Sequence, residues 1–226
     1  MVVALIVFAG KGTRMSSNKP KQFIKIDKKD LVAYTIDKFE LHPLIDEIVL
    51  ATSEEFIPYV QTLVFDNGFK KVVKITKGGE SRQETIRLAL NQMDYPKETK
   101  LLIHDGDRPL VKGTLITEII RALDKDIAIS PMIKSSDALE GVSNSGRKIM
   151  IDDISYDIQT PQGFRFIDIL EAHNRLKDVE VVDDVSLLEK CGEEIKYIPG
   201  DKYNYKITRD IDLDVFKELI KEDGQI

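Results

Sequence analysis

The sequence contains a single cysteine and no excess of basic residues. One thiol, Cys191, excludes an internal disulfide and a zinc site built from cysteines. The 33 lysines and arginines are outnumbered by 39 aspartates and glutamates, which gives a formal charge of −6. Broad nucleic-acid binding needs a basic surface that replaces the counterions of the phosphates. We therefore expect no nucleic-acid partner.

Long apolar runs are also missing. The N-terminal run, residues 2–8, is far shorter than the roughly 20 residues of a membrane span, and no basic region precedes it. It is therefore predicted to be neither a signal peptide nor a membrane span, and we expect a cytoplasmic protein without a membrane partner. The 226 residues contain no repeat and no low-complexity tract, which is typical of a single domain over 1–226.

Strand-like and helix-like patterns alternate along the chain. Short apolar runs predict buried strands at 2–8, 47–52, 71–76, 100–105, 127–130 and 195–198. Helical spacing predicts helices at 31–39, 54–67, 112–123, 167–176 and 210–220, with a further helix around Thr85 and Leu88. This alternation implies right-handed crossovers and an α/β fold with a mostly parallel sheet covered by helices on both faces. Ligands of such sheets bind at the carboxyl ends of the strands.

The first of these strand ends carries a basic glycine loop, Ala9-Gly10-Lys11-Gly12. Small residues let the backbone approach a ligand closely, and the N–H groups of such a turn form an anion site. Four cations follow within eleven residues, namely Lys11, Arg14, Lys19 and Lys21. The pattern favours a polyphosphate site, although a glycine pair alone is equally consistent with a plain tight turn. The P-loop spacing is missing, and Met15 replaces the third glycine of the dinucleotide fingerprint.

Two later strand ends carry further candidates. Gly78-Gly79 is either a second close-approach turn that holds a base or ribose, or a loop before a helix capped by Glu80 or Ser81. Asp105 ends a buried strand, where an unpaired carboxylate is costly to desolvate. It is therefore a candidate Mg²⁺ ligand, with an internal Asp–Arg pair in the turn as the alternative.

Several motifs, in order over residues 4–208, resemble those of the sugar- and polyol-phosphate nucleotidyltransferases, in particular the cytidylyltransferases that act on methylerythritol phosphate and on ribitol phosphate. The quoted segments are Gly10-x-Gly12-Thr13-Arg14-Met15, Pro20-Lys21-Gln22, Gly78-Gly79-x-x-Arg82-x-x-Thr85, His104-Asp105-Gly106-Asp107-Arg108-Pro109, Thr160-Pro161-Gln162, Val182-Asp183-Asp184-x-Ser186 and Asn204-x-Lys206-Ile207-Thr208. Thr85 stands where the family has serine. The segment around Asp105 is closer to the ribitol-phosphate branch, although Asp107 is unusual in both branches.

The resemblance implies a Rossmann-like nucleotidyltransferase fold and a reaction of CTP with a polyol phosphate. It favours ribitol 5-phosphate or a related alditol phosphate as the acceptor, with 2-C-methyl-D-erythritol 4-phosphate as the alternative. Catalysis is implied for Arg14, Lys21 and Lys206, and Mg²⁺ binding for Asp105. Nucleotide binding is implied for Phe8, Ala9, Gly10, Lys11, Gly12, Thr13, Gly79, Glu80, Thr85 and Gly106, and acceptor binding for Arg108, Lys134 and Ser135. The excursion at about 131–157, with a turn at 143–146, corresponds to a β-arm through which the family dimerises, so we expect a homodimer.

One departure weakens the acceptor assignment. Asp152 stands eight residues before Thr160, where the family has an arginine that grips the acceptor phosphate, and a carboxylate would repel that phosphate. Arg147, Lys148 or Lys134 could take over this contact. Two rival functions remain: a nicotinamide-dependent oxidoreductase, disfavoured by Met15 and the basic loop, and an inactive nucleotide-binding module, disfavoured by the charged positions that are retained.

Overall fold

The computed structural model of the chain describes residues 1–10, 20–136, 141–142, 148–149 and 155–223. The strands and helices of the first half are β1 Val2–Val7, β2 Lys25–Ile26, β3 Lys29–Asp30, α1 Leu31–Glu40, β4 Glu47–Thr52, α2 Ile57–Asn67, β5 Val72–Lys77, α3 Arg82–Leu90, β6 Lys100–Asp105 and α4 Gly113–Ala122. Those of the second half are β7 Ala128–Lys134, β8 Gly141–Val142, β9 Lys148–Ile149, β10 Tyr156–Ile158, β11 Gln162–Arg165, α5 Phe166–Arg175, α6 Val185–Cys191, β12 Lys196–Pro199 and α7 Asp210–Asp223.

The main sheet has eight strands in the order β10-β7-β11-β6-β1-β4-β5, with β12 also paired to β7. β1 lies at its centre and pairs in parallel with β4 and β6. All six residues of β1 are buried, as expected for a strand covered on both faces. The predicted mostly parallel sheet is therefore confirmed, and the strand that carries the glycine loop lies in its middle.

Two strands run against the others. β11 is antiparallel to both β6 and β7, and β10 is antiparallel to β7. The sequence pattern did not predict β11. Its insertion next to β6 brings the segment before it, which contains Thr160, against the end of β6.

Helices cover both faces of the sheet, as predicted. Helices α1, α2 and α4 pack on one face, around side chains such as Ile6, Phe39 and Ile116. Helices α3, α5 and α6 pack on the other face, around Leu5, Ile86 and Phe164. The alternation of Leu5 and Ile6 between the two clusters is the two-residue period of a strand.

Smaller elements complete the fold. Gly68 ends α2 with a φ of 69°, which confirms the predicted left-handed cap. A third apolar cluster joins α7 to α1 through Phe216, Leu31 and Ile207. This contact fixes the segment that carries Lys206 against α1.

The predicted excursion is described only in part. β8 and β9 form a two-stranded antiparallel ladder apart from the main sheet, while the predicted turn at 143–146 lies outside the described residues, as does Asp152. The dimerisation role of this arm stays a prediction. Within the described part of the chain, no helix is long and apolar enough to cross a membrane.

Candidate active site

A pocket opens at the carboxyl ends of β1, β5 and β6, where ligands of parallel sheets bind. Its walls come from the end of β1 and the loop after it, the loop between β5 and α3, the end of β6, and the segment before α7. The residues that line it include Phe8, Ala9, Gly10, Lys21, Gln22, Gly79, Glu80, Ser81, Arg82, Thr85, Asp105, Asp107, Lys206 and Thr208. Segments that are almost two hundred residues apart thus share one cavity.

Lys21 and Lys206, which we call the lysine pair, meet in this pocket. Lys21 lies in the single helical turn Lys21–Phe23, and its Nζ donates to the carbonyl oxygen of Ile207 at 2.8 Å and forms an ion pair with Asp107. Lys206 Nζ lies 2.9 Å from Asp105 Oδ2 and 3.9 Å from Asp107 Oδ1. The two lysines therefore share Asp107 as a partner, so the sequence-distant cations converge as the motifs predict.

A second group runs from the pocket into the protein, and we call it the buried chain: Asp105, Arg82, Asp184 and His173. Arg82 bridges the two carboxylates, with Nε 2.8 Å from Asp105 and Nη1 2.8 Å from Asp184. His173, fully buried on α5, lies 3.1 Å from Asp184 through Nε2. The buried chain joins the start of α3, the end of β6, α5 and the start of α6.

The charges of the buried chain are set by these contacts. Burial alone would raise the pKa of Asp105, but Arg82, Lys206 and Arg108 outweigh it and hold that pKa well below its usual range. Burial would likewise raise the pKa of Asp184, and Arg82 and His173 reverse that effect and lower it. Both carboxylates are therefore ionised at neutral pH.

His104 positions the turn that presents Asp105. Its ring is fully buried, and burial lowers its pKa to about 3, so it is neutral. The neutral ring lies 3.1 Å from the carbonyl oxygen of Arg108 through Nε2, which must donate, and 3.1 Å from the hydroxyl of Thr160 through Nδ1, which must accept. The same hydroxyl accepts from the backbone N–H of Asp105 at 3.1 Å. The segment before β11 thus holds the end of β6 in place through the hydroxyl of Thr160.

The two glycine loops touch each other beside this turn. A Cβ added at Gly78 would lie 2.6 Å from the Cβ of Ala9, so only glycine allows the approach. Thr85 Oγ1 accepts from the backbone N–H of Gly79 at 3.0 Å, and Ser81 caps α3 by accepting from the N–H of Glu84. The segment is therefore a capped helix start, as one interpretation predicts, and it also forms a wall of the pocket; its contact with a base or ribose stays a prediction.

The first loop is fastened by a side chain to which the sequence assigned no role. Gln22 is buried, and its Nε2 donates to the carbonyl oxygens of Phe8 and Gly10 at 3.0 Å each. Gly106, which does not line the pocket, is packed so closely against this strand end that an added Cβ would lie 2.9 Å from the Cβ of Phe8. The backbone at the end of β1 is thus held from both sides.

The predicted Mg²⁺ ligand can be tested against this geometry. Asp105 is ionised, lies in the pocket, and uses one oxygen for Arg82 and the other for Lys206, so each oxygen keeps a lone pair for a hard cation. Among the described residues no group of three or more metal-ligating side chains occurs, so most ligands would have to come from phosphates and water, as Mg²⁺ prefers. The residues fit such a shared site.

The predicted site residues fall into three groups. Lys21, Lys206 and Asp105 line the pocket with Phe8, Ala9, Gly10, Gly79, Glu80 and Thr85. Lys11, Gly12, Thr13 and Arg14 lie outside the described residues. Gly106, Arg108, Lys134 and Ser135 are placed elsewhere: Gly106 and Arg108 behind the wall of the pocket, and Lys134 and Ser135 at the base of the arm, where Lys134 pairs with Tyr156 and Ser135 with Ser155.

Arg108 lies close to Asp105 but does not line the pocket. Its side chain is 11% exposed, and its guanidinium donates to the carbonyl oxygen of Asn204 at 2.9 Å and lies 3.6 Å from Asp105. It therefore supports the turn, and its contact with an acceptor stays a prediction. Arg82, Asp107 and Gln22 are site residues to which the sequence assigned no role, although each lies within a quoted motif.

Known proteins resemble this chain over nearly its whole length. Residues 2–222 match the family model described as "IspD: 2-C-methyl-D-erythritol 4-phosphate cytidylyltransferase". A 2-C-methyl-D-erythritol 4-phosphate cytidylyltransferase of Clostridium acetobutylicum is 36% identical over 99% of both chains. A ribitol-5-phosphate cytidylyltransferase of Vibrio parahaemolyticus is 34% identical over 97% of this chain and 96% of the other.

Solved structures show the same Rossmann-like fold. A 4-diphosphocytidyl-2C-methyl-D-erythritol synthase from Anaerococcus prevotii superposes with a TM-score of 0.83 at 24% identity, over 97% of this chain and 98% of that one. A 2-C-methyl-D-erythritol 4-phosphate cytidylyltransferase from Francisella tularensis gives a TM-score of 0.82 at 26% identity, over 96% and 98%. The architecture described above is therefore shared with known cytidylyltransferases.

Proposed function

We propose a specific reaction from the premise that this chain belongs to the 2-C-methyl-D-erythritol 4-phosphate cytidylyltransferase family and is thus a nucleotidyltransferase that uses CTP and a polyol phosphate. A phosphate oxygen of the acceptor attacks the α-phosphorus of CTP. The bond from this phosphorus to the bridging oxygen of the β-phosphate breaks, and pyrophosphate leaves with the electron pair. The product is a CDP-polyol, and no covalent enzyme intermediate is required.

The convergence of the lysine pair on one pocket carries this proposal. Two cations at the carboxyl end of β1 can offset the negative charge that grows on the α-phosphate and the leaving pyrophosphate. Lys21 would serve the α-phosphate and the leaving group, and Lys206 the α- and acceptor phosphates. Arg14, outside the described residues, would add a third cation. Phe8, Ala9, Gly79 and Thr85 would surround the nucleoside, with Gly106 packed behind Phe8.

The charge balance of the pocket supports a role for Mg²⁺. Among its described lining residues, the cations Lys21, Arg82 and Lys206 are matched by the anions Glu80, Asp105 and Asp107. A triphosphate therefore needs further positive charge, which a divalent metal and the basic residues of the first loop can supply. Asp105 would hold the metal, which, when bound, would neutralise triphosphate oxygens.

For the acceptor we propose 2-C-methyl-D-erythritol 4-phosphate first, because the family model and the Clostridium acetobutylicum relative carry that name. Ribitol 5-phosphate is the second candidate, favoured by the segment around Asp105 and by the Vibrio parahaemolyticus relative. Asp152 argues that the acceptor phosphate is held differently from the family pattern. A homodimer through the arm at about 131–157, which would complete each acceptor site, and a cytoplasmic location belong to the same proposal.

Pyrophosphate release from CTP tests the reaction. The panel of acceptors is 2-C-methyl-D-erythritol 4-phosphate, ribitol 5-phosphate, arabinitol 5-phosphate and glycerol 3-phosphate, each with Mg²⁺ and with EDTA. We expect one polyol phosphate to dominate and EDTA to abolish release. CTP with Mg²⁺ should also raise the melting temperature, and NAD should not. Binding of CTP without turnover of any acceptor would favour the inactive module, and binding of NAD alone would favour the oxidoreductase.

A further inference from the structure

Asp107 lies where three distant segments of the chain meet. Its Oδ2 forms the ion pair with Lys21, and its Oδ1 lies 3.9 Å from Lys206 Nζ. The side chain is 10% exposed, and Oδ1 is buried without a hydrogen-bond partner among the described residues. A carboxylate oxygen in this state is stabilised by the nearby cation and by little else. The carboxylate of Asp107 therefore faces Lys21 and Lys206 and not solvent.

The backbone around Asp107 holds the same segments together. The N–H of Ile207 donates to the carbonyl oxygen of Asp107 at 2.9 Å, and Lys21 Nζ donates to the carbonyl oxygen of Ile207 at 2.8 Å. Lys21, Asp107 and Ile207 thus form a closed ring of contacts. The ring fixes Lys21 against the segment that carries Lys206, although neither lysine belongs to the turn after β6.

A carboxylate between two phosphate-binding lysines has two opposite consequences. It orders their flexible side chains before the substrate arrives, which reduces the entropy that must be lost in the transition state. It also repels the triphosphate and competes with it for Lys21 and Lys206. Removal of this charge should therefore improve anion binding and impair catalysis at the same time, which general structural damage does not do.

We propose that Asp107 is a positioning residue that holds Lys21 and Lys206 in the pocket and limits the affinity of the site for the triphosphate. The proposal rests on the proposed function for its catalytic half, because the lysines are taken to stabilise the reacting phosphates. Its electrostatic half depends only on the contacts of Asp107. The two halves can therefore be tested separately.

The electrostatic half is tested with inorganic tripolyphosphate in EDTA, so that neither CTP turnover nor a metal contributes. We expect Asp107→Asn to bind tripolyphosphate about tenfold more tightly than the wild type. In a Lys21→Met background the gain should fall to about threefold, because the competition for Lys21 is gone and only the repulsion and the competition for Lys206 remain. Unchanged or weaker binding in Asp107→Asn, or the same gain in both backgrounds, would overturn the proposal.

The catalytic half is tested by steady-state kinetics with CTP and the best acceptor. We expect Asp107→Asn to lower kcat about a hundredfold without raising KM for CTP. Asp30→Asn is the matched control, because Asp30 is 6% exposed, accepts a hydrogen bond from Tyr59 and lies outside the pocket. It should leave kcat within about twofold. A higher KM together with a lower melting temperature in Asp107→Asn, matched by Asp30→Asn, would show a merely structural role and overturn the proposal.

A further variant covers the case in which Asp107→Asn does not fold. Asp107→Glu keeps the charge but moves the carboxylate by one methylene, so kcat should fall about tenfold while tripolyphosphate affinity stays within about threefold of the wild type. Wild-type kcat in Asp107→Glu would contradict a positioning role. If the wild-type protein turned over no CTP, the proposed function would fail, and the tripolyphosphate affinities would still decide the electrostatic role of Asp107.

Discussion

The inner end of the buried chain, Asp184 and His173, differs sharply in its environment from Lys206 of the lysine pair. Lys21 at 13% exposure and Arg82 at 29% lie between these extremes. The side chains of Asp184 and His173 are 2% and 0% exposed, and they contact each other inside the protein. Lys206 is 34% exposed, and its amine points to carboxylates at the pocket wall. Asp105 belongs to the buried chain and also pairs with Lys206, so it is the point of contact between the two groups.

This difference in exposure separates the residues that stabilise the site from those that are free to contact a substrate. A buried ion pair is costly to break because removal of one partner leaves an uncompensated charge. Lys206, at 34% exposure, is held weakly enough to exchange its carboxylate for a phosphate, whereas Lys21, at 13%, is held more firmly by Asp107. We therefore expect substitutions of Asp184 and His173 to reduce stability first, substitutions of Lys206 to reduce turnover first, and substitutions of Lys21 to reduce both.

The largest effect is expected for Lys21→Ala. On the proposed function Lys21 stabilises the reacting phosphates, so its loss should lower kcat about a thousandfold. The melting temperature should also fall, because the 10% exposed Asp107 loses its ion-pair partner, and kcat is therefore measured well below the melting temperature of the variant. Pyrophosphate release with CTP and saturating acceptor measures kcat. Lys25→Ala is the control, because Lys25 is exposed on β2 and does not line the pocket. Near-normal turnover in Lys21→Ala would refute the assignment of the site.

The next largest effect is expected for the buried chain. Asp184→Asn keeps the shape of the side chain but leaves Arg82 without one of its two anions, so the free energy of unfolding should fall by about 3 kcal/mol. Urea denaturation measures this loss. Asp124→Asn breaks the exposed Lys100–Asp124 pair, whose Asp124 side chain is 67% exposed, and should cost less than about 1 kcal/mol. Equal losses in both variants would remove the distinction between buried and exposed pairs.

The sequence predicted the architecture and the convergence of the lysine pair, but it did not predict the buried chain. Repeated apolar runs identify the strands of a parallel sheet, and parallel strands must end at one edge, so motifs at strand ends meet. The pairing of Arg82 with Asp184 joins residues about a hundred positions apart, and no local pattern encodes it. Such pairs become visible only when α3, α5 and α6 are packed together.

Strand β11 was missed for a related reason. Its four residues, Gln162–Arg165, include a buried glutamine and a glycine, neither of which is typical of a strand. The glycine is required by packing, because a Cβ at Gly163 would lie 2.4 Å from Ile119 Cγ2 on α4. Tertiary contacts thus overrode local propensity. The neighbouring helix α6, seven residues long, is likewise too short for its periodicity to be recognised.

The pH dependence of stability tests the role of His104. Its ring supports the turn that carries Asp105, the residue through which the buried chain contacts Lys206. The folded pKa of His104, about 3, lies below the unfolded value of about 6.5, so the unfolded state binds the extra proton between these values. The stabilisation that His104 provides as a neutral ring is complete above about pH 6.5 and is lost as the pH falls towards 3. Between pH 7 and pH 5 this loss amounts to about 2 kcal/mol.

Urea denaturation at about pH 7 and pH 5 measures the loss, with His104→Gln as the test variant. Within each protein the difference between the two pH values is compared, so the intrinsic cost of the substitution cancels. His104→Gln should lose about 2 kcal/mol less than the wild type over this interval. His42, whose pKa is also lowered by burial, contributes in the same direction in both proteins. An equal pH dependence would contradict a neutral His104.

The smallest effect is expected at Thr85, which holds the second glycine loop against the pocket without belonging to either charged group. Its hydroxyl accepts from the N–H of Gly79, and a Cβ at Gly78 would meet its methyl carbon at 3.1 Å. Thr85→Ser keeps the hydrogen bond and should leave KM for CTP within about twofold, whereas Thr85→Val leaves the N–H without a partner and should raise KM about tenfold. If the loop were held by packing alone, valine, which keeps the methyl group, would be tolerated better than serine. Steady-state kinetics of the two variants therefore decide whether a hydrogen bond or a methyl contact sets the shape of this wall.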